Sequence, residues 1–152
     1  LGMKNHTGGC GVKMRTTDAK RMKGLKDNDR SLVFRLESGG VSVLFTGDIE
    51  QRAEQIIFDG RSVSVDVVKV PHHGSQTSST RLMLESVQAR YAVVSSGTRG
   101  EKTLARPEVI QRYTDAGTQV YRTDYGGSIR VLREDGELRI SRARATKNIA
   151  IR

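Results

Sequence analysis

Two short apolar-rich, strand-like runs stand in the first third of the chain, LVFRLE at 32–37 and VSVLFT at 41–46, on either side of Ser38-Gly39-Gly40. Such runs with a glycine-rich break predict two strands joined as a hairpin. The pattern then changes. Ile49, Ala53, Ile56 and Ile57 recur at helical spacing, which predicts a helix opening at Asp48 and stopping at Gly60. The run VDVVKV at 65–70 is short and β-branched, as befits a strand buried on both faces, and Pro71 ends it. A polar stretch from His72 to Thr80 leads to a helix at about 81–88, then a buried strand YAVVS at 91–95. After a polar loop at 96–106, Pro107 suits the first turn of a third helix, in which Val109, Ile110, Tyr113 and Ala116 share a face before Gly117. A strand near 119–122 and a hairpin of 128–133 with 137–141, turning at Asp135-Gly136, complete the pattern.

Strand and helix alternate from 41 to 122, which predicts a sheet with helices packed on it. In such sheets ligands bind beyond the carboxyl ends of the strands. If the strands run parallel, Asp48, the His72-His73 pair and the 96–106 loop meet on one rim. No run of apolar residues approaches the roughly 20 needed to span a bilayer, and Leu1 to Gly11 lack the pattern of a signal peptide. With 152 residues, 36% of them hydrophobic, the chain suits one soluble domain. The single cysteine, Cys10, excludes an internal disulfide and a cysteine zinc knuckle, and leaves the compartment open.

The net charge of +9 is concentrated at the ends, in residues 1–30 and 139–152, around a nearly neutral middle. Such ends make DNA a candidate partner, because Lys and Arg displace counterions from phosphates. They equally suit a domain that is merely kept soluble. Affinity of that origin would fall steeply with salt.

His72-His73-Gly74-Ser75 is the segment richest in chemistry. Imidazole is a common ligand for zinc. Neighbouring side chains on a strand diverge, so both histidines reach one site only if the chain turns sharply, as Gly74 permits. The alternative is a polar loop without metal. Asp48, in Thr46-Gly47-Asp48, could bridge metal ions or, with Gln51 three residues on, form a helix capping box. Ser75 lacks the surroundings of a serine nucleophile, and Ser78 or Ser79 is expected to cap the next helix.

Taken together, Asn28 to Leu36, Gly40 through Leu44-Phe45-Thr46-Gly47-Asp48-Ile49-Glu50, and Val68-Lys69-Val70-Pro71-His72-His73-Gly74-Ser75 resemble the metallo-β-lactamase-fold domain of ComEC-type DNA-uptake proteins. The likeness continues through Arg90 to Ser95, Arg106-Pro107-Glu108-Val109 and Val120 to Gly127, covering about 27–133. It implies an α/β fold, the αββα sandwich, with zinc- or manganese-dependent hydrolysis and, in this branch, a nuclease role during DNA transport. It matches Asp48 to the family's metal-bridging aspartate and His72-His73 to its histidine motif, with Asp48 and His73 as catalytic centre.

Two departures limit the match. The family's first histidine- and aspartate-rich motif has no counterpart, His6 being the only histidine upstream, and Leu104 stands where a Gly-His-Pro histidine would fall. The fold is therefore expected to be incomplete: a basic segment at 1–26, the C-terminal part of the domain at 27–142, and a basic tail at 143–152. A catalytic zinc site takes three protein ligands and an open position. The shortfall fits a fragment whose missing N-terminal half supplied ligands, a degenerate relative binding zinc or manganese weakly or not at all, or a scaffold completed by a second copy. In the degenerate case, Ser75, Arg99, Lys102 and Arg106 could hold phosphate groups, or the three cations could be an ordinary solvated loop. A half sandwich exposes one side of its sheet and favours homo-oligomers. The reading from another class is a non-catalytic polyanion-binding or assembly module.

Overall fold

In the computed structural model, which describes residues 11–14, 24–99 and 102–143, Val67 and Val68 are adjacent and both buried, at 2% and 0% exposure. Burial of consecutive residues on a strand means that both faces of the sheet are covered at that point. They belong to β4 (Val67–Lys69), at the middle of a six-stranded sheet. The strands on one side are β1 (Gly11–Met14), β2 (Phe34–Ser38) and β3 (Val41–Phe45), and on the other β5 (Tyr91–Val94) and β8 (Gln119–Arg122), in the order β1-β2-β3-β4-β5-β8. β1, β2 and β3 pair antiparallel, whereas β3, β4, β5 and β8 are all parallel.

The parallel strands are joined by α1 (Gln51–Phe58), α2 (Arg81–Val87) and α3 (Pro107–Asp115). Each connection steps to the next strand in the same direction, and right-handed crossovers then put every helix on one face. The core shows this. Ala53, Ile57 and Phe58 from α1, Met83 and Val87 from α2, and Val109 and Tyr113 from α3 pack with Leu44, Val68, Ala92 and Val94 in one cluster. The residues that alternate with these sheet positions lie on the other face, where Phe34 stacks on Phe45 at 4.8 Å and Tyr91 lies 6.1 Å from Tyr121. One sheet with helices on one face is half of the αββα arrangement. A separate hairpin, β9 (Ser128–Glu134) and β10 (Glu137–Ala143), turns through Asp135 and Gly136, both at positive φ as a two-residue hairpin turn requires.

Several boundaries differ from the pattern reading. The pattern predicts no strand before residue 32, yet β1 pairs along β2, Gly11 opposite Glu37. The polar loop at 96–106 contains a small hairpin, β6 (Thr98–Arg99) with β7 (Lys102–Thr103), and a one-turn helix α4 (Thr123–Gly126) follows β8. Such short pieces are set by local hydrogen bonds and leave no periodic signature. His6, Cys10 and the tail beyond Ala143 lie outside the described residues. No described helix is long and apolar enough to cross a membrane.

Candidate metal and phosphodiester site

The parallel register brings the ends of β3, β4, β5 and β8 to one rim, and the loops after them are tied together by main-chain hydrogen bonds. The His72 N–H donates to Gly47 O at 3.2 Å, and the Arg106 N–H to Gly74 O at 3.0 Å. Ser96 N–H donates to Thr123 Oγ1 at 2.9 Å. The rim is thus one continuous structure rather than four independent loops.

Asp48 is on this rim and is not a helix cap. The helix α1 opens at Gln51, three residues later than the pattern predicts, and the Asp48–Gln51 capping box does not form. Its donors are met from elsewhere: Asp29 Oδ1, 4% exposed, accepts the Glu50 N–H at 2.7 Å and the Ala53 N–H at 3.4 Å. With Asp29 as a remote cap, Asp48 is released from that role. Gly47, at φ +57°, turns the chain, and Ser31 Oγ fixes the Asp48 N–H at 3.0 Å. A Cβ at Gly47 would lie 2.5 Å from Ser31 Cβ, so the turn needs glycine on two counts.

The sharp bend at the histidines is made by the pair itself. Both are left-handed, at φ 47° and 54°, followed by Gly74 at 82°. Non-glycine residues in this region cost about 1–2 kcal/mol each, so the surrounding structure must impose it. The bend sends the two rings to different partners. His73 Nδ1 is 2.7 Å from Ser95 O, and its Nε2 is 3.6 Å from Asp48 Oδ1. The carbonyl can only accept, which assigns a proton to Nδ1 and turns Nε2 toward Asp48. A ring oriented by a backbone carbonyl in this way is the usual setting of a metal-ligating histidine. His72 is placed differently. Its Nε2 is 3.5 Å from Asn28 Nδ2, and its buried Nδ1 is 3.3 Å from Glu50 Oε1 without hydrogen-bond geometry.

The loop behind the pair is anchored in the core. Glu54, fully buried, accepts the Ser79 N–H at 2.5 Å and the Thr80 N–H at 2.8 Å. Burial pushes its carboxyl above the ordinary range, against the opposing pull of the Thr80 and Ser79 hydrogen bonds and of Arg112. Arg112 donates to Ser78 O at 3.1 Å, and Ser78 Oγ donates to Pro71 O and Ser75 O. The helix cap is Thr80, which accepts from Met83 N–H, rather than Ser78 or Ser79, whose hydroxyls face inward.

Of the expected phosphate contacts, Ser75 Oγ bonds Thr77 Oγ1 at 3.1 Å within this loop. Arg106 is exposed at the start of α3. Arg99 and Lys102 pair across β6 and β7, and their side chains lie outside what is described. Leu104 does not enter the core and is 52% exposed. The pattern reading assigned no role to Asn28, Asp29, Glu50 or Lys69. The available signal was Lys69, a cation inside an otherwise buried strand.

Asp48 and His73 supply two facing donors, one fewer than a catalytic zinc site takes. Among the described residues, no group of three or more His, Cys, Asp or Glu is arranged to hold a metal. These residues alone therefore do not fit a complete zinc or manganese site.

The mixed sheet with helices on one face is that of a metallo-β-lactamase-type domain. Residues 27–98 match the metallo-beta-lactamase superfamily, and the chain belongs with the metallo-β-lactamase-fold domains of ComEC-type competence proteins. It is 32% identical over 127 residues to competence protein ComA of Neisseria gonorrhoeae, covering 82% of this chain and 18% of that protein. It is 34% identical over 103 residues to ComE operon protein 3 of Bacillus subtilis, covering 67% and 13%. It is 36% identical over 118 residues to recombination protein 2 of Haemophilus influenzae, covering 78% and 15%. The chain thus spans less than a fifth of the length of these relatives.

Proposed function

We propose that this domain contributes Asp48 and His73 to a metal-assisted hydrolase acting on phosphodiesters of DNA, the remaining ligands coming from polypeptide that the chain does not span. The observation that carries this reading is the facing pair itself. With Nδ1–H committed to Ser95 O, a neutral His73 turns a lone pair toward a carboxylate 3.6 Å away. Two acceptors face each other favourably only with a cation or a proton between them. Zinc or manganese is the cation that the family match suggests, and the competence-related relatives suggest the substrate. Ser75 and Arg106, with Arg99 and Lys102 from the β6–β7 hairpin, are proposed to hold phosphate. His72 is proposed to orient the rim through Glu50 and Asn28 rather than to bind the metal first.

Competition titration of zinc and manganese on the whole chain tests this, alongside cleavage of single-stranded DNA when the domain is joined to its longer context. Weak binding is expected, reduced at least tenfold by Asp48→Ala or His73→Ala and much less by His72→Ala, since losing one of few ligands weakens a site strongly. Undiminished binding in His73→Ala would remove the pair from the site.

A further inference from the structure

Lys69 is the one charged residue of β4, and both ends of it are bound to the segment 46–48 that follows β3. Its backbone carbonyl accepts Thr46 Oγ1 at 2.7 Å, while its ammonium donates to Gly47 O at 2.8 Å and lies 3.4 Å from Asp48 Oδ1. The side chain is 19% exposed, so the charge is largely withdrawn from water. The carboxylate oxygen it meets is the one that faces His73 Nε2 at 3.6 Å. A cation therefore already stands beside Asp48, in a site with too few donors for a metal.

We infer that Lys69 is the built-in countercation of this rim, neutralising Asp48 when no metal is bound and opposing a divalent ion at the same carboxylate. The inference rests on the proposed role of Asp48 as a metal ligand. An ammonium and a divalent ion near one oxygen repel each other, so the lysine lowers metal affinity while keeping the rim assembled without metal. The Gly47 carbonyl, which also accepts the His72 N–H, makes the same lysine a brace between the two segments. A brace alone predicts the opposite sign, because loosening Asp48 weakens any site that uses it.

The test is manganese affinity of the whole chain, measured by competition titration and by the thermal shift that manganese produces. Lys69→Met should bind manganese roughly three- to tenfold tighter than wild type, the range a partly exposed ion pair supports. Its melting temperature without metal should fall, and its metal-induced rise should exceed that of wild type. Lys69→Arg, which keeps the charge, should bind within about twofold of wild type. Should Lys69→Met fold poorly, Lys69→Gln is held to the same sign. Affinity that is unchanged or weaker in the charge-removing variants overturns the inference. Asp48→Asn separates the two failures. If it abolishes binding while Lys69→Met does not raise it, only the lysine inference falls; if it leaves binding intact, the metal role of Asp48 falls as well.

Discussion

Two loops leave neighbouring strands of the same sheet on the same rim, and they are held by different contacts. The loop 71–80 after β4 is held from within: Glu54 takes two of its N–H groups, Arg112 two of its carbonyls, and Ser78 closes it on itself. This support holds two successive histidines in a left-handed conformation that a free chain avoids. The loop 96–106 after β5 carries the β6–β7 pair and is tied by Leu104 N–H to Gly97 O, by Arg106 N–H to Gly74 O and by Ser96 to Thr123 Oγ1, with Ala105 in the core and Leu104 half in solvent. The contrast shows where orientation-dependent chemistry can sit. A ligand must be held to within fractions of an ångström, which the buried contacts of the first loop provide, whereas charges that hold a polyanion tolerate wider placement.

The comparison breaks most severely at Glu54. Glu54→Ala would strand two buried N–H groups and the nearby Arg112, and should cost about 3–5 kcal/mol in urea unfolding. No substitution described for the 96–106 loop should approach this. Glycines give a matched pair. Gly47→Ala places a Cβ 2.5 Å from Ser31 Cβ at φ +57°, and should cost about 2–3 kcal/mol. Gly97→Ala meets nothing within 4 Å and should change stability by less than about 0.5 kcal/mol. Equal losses at the two glycines would mean that the rim is not asymmetric as described.

Glu54 also sharpens the comparison through pH. Its carboxyl is raised above the ordinary value of 4.5, so the folded chain holds that proton to higher pH than the unfolded chain. The resulting contribution to stability is full below 4.5 and is lost as pH rises through the folded value. Wild type should therefore gain on Glu54→Gln as pH falls from 7, with the difference levelling off near 4.5, read from urea midpoints across that range. A difference independent of pH would mean that Glu54 titrates alike in both states. The smallest stability effect is expected at Leu104→His, within about 0.5 kcal/mol because the side chain is exposed. If the hairpin faces Asp48 and His73, the new imidazole should nevertheless tighten metal binding severalfold, a tenfold gain being about 1.4 kcal/mol. Unchanged affinity would place Leu104 away from the site.

Much of this architecture is written locally. The β-branched run at 65–70, the helical spacing through Ile57 and Val109, and the Asp135-Gly136 turn specify strand, helix and hairpin from residues a few positions apart. The resemblance of three short segments to ComEC-type domains depends on them too. Tertiary structure decided what those segments do. Parallel pairing put Asp48, His73 and Ser95 on one rim. Asp29, 21 residues before Glu50 in sequence, took the capping role that Asp48 and Gln51 match on paper. The left-handed bend turned His73 toward Asp48 and His72 toward Glu50. Lys69, a misfit in a buried strand by its sequence, became the cation beside Asp48. The division has one physical cause. Periodicity and turn chemistry are short-range properties of the chain, whereas the direction of a side chain and the partner of a charge depend on neighbours brought there by the sheet.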